Sequence, residues 1–165
     1  MKHPIGETRN GITVFVDLIH SEAAKHIAQQ PHLLNLAAEA LQKTSVHGPS
    51  SDIEHDMGRD IGYSFVVPTT EGNTVFYAQL QRDEVYTRFI KNGKPLTTQH
   101  LSLLLRRNAE DKTYELHDVW IGRLSPPRPG SADETDQSKI FWSTHALILD
   151  KQPLQLRTVT KVCPY

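Results

Sequence analysis

Apolar positions recur along this chain with two different periods, and the change of period organises it. From about Leu18 to Gln30, Ile19, Ala23 and Ile27 return every four residues, the spacing of one helical face. Pro31 interrupts the stripe, because a proline inside a helix removes a backbone donor and crowds the preceding turn. A second stripe, from about His32 to Lys43, runs through Leu33, Leu34, Ala37, Ala40 and Leu41. Faces of this kind cover a sheet, and they also suit a partner. Residues 44–54 then read as a polar loop.

After that loop the period falls to two. Strands are predicted around residues 61–67, 74–80, 85–90, 101–106 and 114–121, with a further one at Leu154–Val162. Asn92-Gly93 supplies a turn, and Asn108–Lys112 a hairpin loop. Before the helices, Ile12–Val16 forms a short strand behind the Asn10-Gly11 turn, and residues 1–11 read as a loose arm. The Pro-, Gly- and Asp-rich stretch 122–137 is a long surface loop with the make-up of a lid. Ile140–Leu149 is rich in aromatic and branched side chains and free of Gly and Pro, so it too predicts a strand. Alternation would then set Phe141, Ser143, His145 and Leu147 on one face. Helices ahead of strands point to an α+β fold: an N-terminal helix pair packed on a curled, mostly antiparallel sheet of five to six strands. A chain of 165 residues makes one domain by default.

Charge and composition narrow the function classes. The formal net charge of −1 does not favour a broad nucleic-acid surface, so a polyanion site must be a local cluster. No apolar run has membrane-spanning length, and residues 1–11 lack the apolar core of a signal peptide; a cytoplasmic location without membrane contact is expected. Cys163 is the lone cysteine, which removes intramolecular disulfides and multi-cysteine zinc sites. His20, His26 and His32 are spaced too widely for a tight helical ligand face, and no other spacing recommends a metal. No cofactor is expected.

Four groups of residues carry candidate chemistry. The first lies within Glu54–Gly62, where Glu54, His55 and Arg59 stand beside two glycines; a tight turn of mutually paired charges is the plainer account. The second is Tyr86, Thr87 and Arg88, in which Arg88 can grip a phosphate or carboxylate through two parallel hydrogen bonds. The third is His117-Asp118, where alternation sets the two side chains on opposite faces and His117 beside Val119 and Ile121, as a structural histidine. The fourth is Ser143, Thr144 and His145. Histidine or glutamate can exchange protons near neutral pH, and arginine can balance phosphate charge. That set suffices for cleavage of RNA by its own 2′-hydroxyl. His145 is the expected base or acid, with His55 or Glu54 as its counterpart. Arg88 and Arg59 are the expected phosphate ligands, and Thr87, Thr144 and Tyr86 the expected supporting contacts.

The element order and these residue types resemble the barnase/EndoU/colicin/RelE-type metal-independent ribonucleases over about residues 17 to 150. The resemblance implies RNA, or another phosphate-bearing ligand, as partner, and a toxin-like role in which a protein partner offsets the missing basic charge. It rests on order and type, so no catalytic residue is carried over from it. Separately, the strings HDMGRDIG, VYTRFI, YELHDVWIG and FWSTHALI resemble those of a group of short, standalone bacterial proteins, a likeness that brings no activity with it. The alternative from another class is a non-enzymatic module for a small molecule or a protein. There Tyr77, Tyr86, Arg88, Trp120 and Trp142 line a pocket or partner face and His145 is structural.

Overall fold

Asn10 and Gly11 turn the chain back on itself near its start. In the computed structural model, which describes residues 1–81, 83–149 and 154–165, β1 (Lys2–Glu7) pairs antiparallel with β2 (Thr13–Asp17). Gly11 adopts φ 77°, and the Ile12 amide donates to the Thr8 hydroxyl at 3.0 Å. The expected loose arm is therefore a strand. Alternation could not reveal it, because β1 is largely exposed and carries Pro4 and a register shift before Gly6, features that a sheet edge tolerates.

The described residues form two compact units. The first comprises Met1–Gly62 and Thr98–Leu124. Its helices are α1 (Glu22–Gln29), capped by Ser21 accepting from the Ala24 amide, and α2 (Leu33–Gln42). Its sheet has the order β1-β2-β10-β9-β3, with β3 at Ser50–Asp56, β9 at His100–Arg107 and β10 at Tyr114–Ile121. Ala23, Ile27, Leu33, Leu36, Ala37, Ala40 and Leu41 from the helices pack on Val14, Val16, Ile53, Leu101, Leu103, Leu105, Leu116 and Val119 from one sheet face. At roughly 1.5–3 kcal/mol for each large apolar side chain fully buried, this layer is the main stabilising contact of the unit.

The second unit comprises Tyr63–Thr97 and Ser125–Tyr165. Its sheet has the order β12-β6-β7-β11-β5: β5 is Val66–Pro68, β6 Val75–Leu80, β7 Tyr86–Ile90, β11 His145–Ile148 and β12 Leu156–Thr160. Phe76, Ala78 and Phe89 pack on one face, while Val67, Ile90, Ala146 and Ile148 pack on the other. A two-stranded ribbon joins β4 (Gly62–Ser64) to β8 (Leu96–Thr98).

The fold is α+β, but not a helix pair opening the chain over a single curled sheet. Two strands precede α1, and the strands divide among three sheets. Residues 44–54 are not all loop, since β3 begins at Ser50. The larger correction concerns residues 140–149. Asp136–Thr144 is helix α3, and only His145–Ile148 is strand. Thr135 and Ser138 form a capping box that nucleates the helix, and Ser138 and Trp142, four apart, are its buried positions. Capping and helical spacing outweigh the β propensity of Ile140, Phe141 and Trp142. Phe141, Ser143, His145 and Leu147 therefore do not share a strand face.

A bulge in β10 changes a second reading. Leu116 pairs with Leu105 and Asp118 with Leu104, so His117 is the extra residue. His117 is exposed rather than aligned with buried Val119. Bulges re-aim neighbouring side chains, and here the Asp118 carboxylate meets His26 Nδ1 of α1 at 2.8 Å. The hydrogen bond to Asp118 raises the His26 pKa above its ordinary value, against a smaller opposing effect of burial. The protonated ring therefore favours the native state. Its contribution is complete below the unfolded value of about 6.5 and is lost as pH rises through the higher folded value. In Asp118→Asn, the His26 titration midpoint measured by NMR is expected to fall, and this part of the pH dependence of unfolding to disappear. An unchanged midpoint would refute the pairing.

Candidate functional site

Strand alternation decides what Glu54 and His55 can do. Both lie on β3, and Ile53 and Met57 on the His55 side are buried in the core under the helices. Glu54 projects from the other face of the sheet, so the two expected counterparts point apart. Arg59 is engaged elsewhere: its Nη1 and Nη2 each donate to a carboxylate oxygen of Glu39 on α2 at 2.8 Å. This fork depresses the Glu39 pKa and raises that of Arg59. Arg59 is thus paired, but with Glu39 of α2 rather than, as the plainer account expected, with a charge of its own segment.

Glu54 instead meets two residues that the sequence reading passed over. The register sets Glu54 opposite Ser102, and Ser102 opposite Trp120. His100 lies two positions from Ser102 on β9, hence on the same face and diagonal to Glu54, a spacing of about 7–8 Å that long side chains span. Arg123 completes the group. Its Nη2 lies 3.3 Å from His100 Nε2, and its Nε 3.8 Å from a Glu54 carboxylate oxygen. The other Glu54 oxygen accepts from the Leu124 amide at 2.9 Å, which fixes the carboxylate against the strand-to-loop junction. The Ser102 hydroxyl donates to the Gly122 carbonyl at 2.7 Å and holds that junction on the sheet. The Trp120 indole N–H reaches the Arg123 carbonyl at 3.3 Å, so Trp120 stands beside the group. Carboxylate, imidazole, guanidinium and an aromatic plane thus share the sheet face opposite the helices. The Arg123 side chain is 68% exposed, so its contacts to Glu54 and His100 hold it only weakly and leave it able to turn to a ligand. His100 was legible in principle: extending the strand at 101–106 by one residue brings it onto the Ser102 face. Arg123 carries no pattern of its own, because it follows the strand end.

Tyr86, Thr87, Arg88, Thr144 and His145 belong to the second unit. Arg88 Nη1 donates to the Thr69 hydroxyl at 2.9 Å and to the His145 carbonyl at 3.1 Å. His145 thus approaches Arg88 through its backbone. Its half-buried ring stacks on Phe141 with centroids 4.0 Å apart and planes at 6°. His145 Nδ1 lies 3.1 Å from the Phe141 carbonyl and 2.9 Å from the Thr144 hydroxyl. A carbonyl only accepts, so Nδ1 carries the hydrogen and Nε2 is left as the basic atom. The exposed Thr144 hydroxyl donates to the same carbonyl at 3.1 Å. Tyr86 shares the face of Arg88.

Thr87, the expected supporting contact, already holds a protein partner. It is 2% exposed on the opposite face of β7, where its hydroxyl accepts from Arg128 Nη1 at 2.6 Å. Arg128 also pairs with Asp83 through Nη2. The Trp142 indole donates to the Pro126 carbonyl at 3.0 Å, and Trp142 is 5% exposed, which makes it a packing residue rather than a pocket wall. Arg128 and Pro126 together anchor part of the 122–137 stretch, whose composition suits a lid.

Tyr77 lies directly across from Arg88 on β6, and Tyr165 meets the Tyr77 ring edge-on with centroids 5.8 Å apart. Burial, with smaller contributions from Tyr77 and Cys163, pushes the Tyr165 phenol up to about 12. The unfolded phenol ionises near pH 10, so native stability should fall between about pH 10 and 12. Burial also raises the Tyr77 phenol, so absorbance titration of tyrosinate should show late-ionising phenol whose amplitude falls in Tyr165→Phe. Identical curves for the two proteins would contradict this environment. Among the described residues no group of three or more His, Cys, Asp or Glu converges as a metal cluster, and no helix is long and apolar enough to cross a membrane. Compared with family models, with curated proteins and with solved structures, the chain matches none.

Proposed function

We propose that the first unit binds RNA on the sheet face opposite its helices and cleaves it without metal. The observation that carries this reading is the convergence of Glu54, His100 and Arg123 beside Trp120. Glu54 takes the proton of the 2′-hydroxyl, and the 2′-oxygen then attacks the adjacent phosphorus. His100 in its protonated form gives its proton to the departing 5′-oxygen. Arg123 swings from Glu54 and His100 to the phosphate and balances charge that grows at the crowded phosphorus. The products are a 2′,3′-cyclic phosphate and a free 5′-hydroxyl. Trp120 offers a ring on which an unpaired base stacks. The reading keeps Glu54 from the sequence and replaces His145, His55 and the two arginines Arg88 and Arg59 in the cleavage roles.

Incubation of labelled RNA with purified protein in EDTA tests the proposal. Cleavage should persist in EDTA and stop when the 2′-hydroxyl at the cut is replaced by hydrogen. Glu54→Gln and His100→Gln should each lower the rate about a hundredfold or more, the usual contribution of a positioned acid or base. Arg123→Gln should do the same, while His55→Gln, on the opposite face, should leave the rate unchanged. Intact RNA, or cleavage that needs an added divalent cation, would overturn the reading.

A further inference from the structure

Arg88 is a cation built into the middle of a sheet without a counter-ion. It sits on β7, the central strand of the second sheet, and shares a face with Ile90, Ala146, Ile148 and Val67. Among the described residues it makes no ion pair, whereas Arg59, Arg106, Arg123 and Arg128 each face a carboxylate. Its Nη1 donates to two neutral oxygens, on Thr69 and His145. Its Nε is buried with no hydrogen-bond partner. Withdrawing a guanidinium from water is costly unless an anion and full hydrogen bonding compensate it. An exposed role for the side chain does not explain this placement, because Arg88 is half-buried and held by two bonds.

The surroundings are suited to an oxyanion carried on an aromatic body. Tyr77 lies across the strand pair with its hydroxyl beside the guanidinium, and Tyr165 packs edge-on against Tyr77. Tyr86 adds a third ring on the same face. A planar fork of N–H donors matches a carboxylate or phosphate, and the tyrosines offer ring faces and phenol groups around it. We propose that the second unit holds a binding site for an aromatic carboxylate or aryl phosphate, with Arg88 gripping the oxyanion and Tyr77 and Tyr165 contacting the ring. This site is separate from the Glu54 group and does not depend on RNA cleavage.

NMR titration of the whole protein with benzoate, phenyl phosphate, acetate and inorganic phosphate tests it. Benzoate or phenyl phosphate should shift the Arg88 Nε–H resonance and the Tyr77 and Tyr165 ring signals in a saturable way. Acetate and inorganic phosphate should bind at least about tenfold more weakly. Arg88→Gln should weaken the aromatic ligand about ten- to a hundredfold, the range for one charge-assisted hydrogen bond or a pair of them. Tyr77→Leu, which keeps Arg88, should remove the preference for the aromatic ligand. Glu54→Gln should bind the ligand as the parent does, which separates this site from the cleavage reading. The proposal is overturned if no probe moves the Arg88 signal in the folded parent. Equal binding of acetate and benzoate also overturns it, as does undiminished binding by folded Arg88→Gln.

Discussion

The register of β9 between β3 and β10 is the constraint on which the first unit depends. Leu101, Leu103 and Leu105 are fully buried against the helices. His100, just before them, and Ser102, between the first two, are thereby directed to the opposite face. Pairing then carries the same phase outward, to Glu54 on one side and Trp120 on the other. A slip of one residue would drive three leucines out of the core and pull the polar groups into it. Hydrophobic burial thus positions the carboxylate and the imidazole, although neither contributes to the core.

The β10 bulge interrupts that phase once. Without it, strict alternation from Leu116 would put Asp118 on the core face and Val119 on the opposite one. With it, Val119 is buried, His117 is exposed, and Asp118 reaches His26. One inserted residue both preserves the apolar face and ties α1 to the sheet.

The second unit handles charge differently. Its two faces are packed by small clusters, and its polar residues are placed by individual bonds. Arg128 is bonded to Thr87 and Asp83, so a loop is joined to a strand by a satisfied network. Arg88 sits in the same strand as Thr87, bonded to neutral oxygens of Thr69 and His145 and, among the described residues, to no carboxylate. Two arginines of one chemistry are therefore left in opposite states, one compensated and one not.

The sequence by itself determined what local spacing can express. Ala23 and Ile27 of α1, the Leu33 to Leu41 stripe of α2, and the alternation of β6, β7 and β9 are readable, because each element has a face that must be buried. Ile19, the first member of the four-residue repeat, lies before α1 and is exposed, and the β10 bulge breaks alternation at His117. Spacing failed for β1, which lies at an edge and buries little, and for Ile140–Thr144, where a capping box set the helix against side chains that favour strands. The tertiary structure alone decided which strands share a sheet, and so which polar residues meet. Glu54 and His100 stand 46 positions apart in the chain and become neighbours only through the β3–β9 pairing. His55, adjacent to Glu54 in sequence, is turned away from it by the pleat. Side-chain direction within a strand is a local property, whereas the identity of the neighbouring strand is a long-range one, and a site assembled across strands needs both.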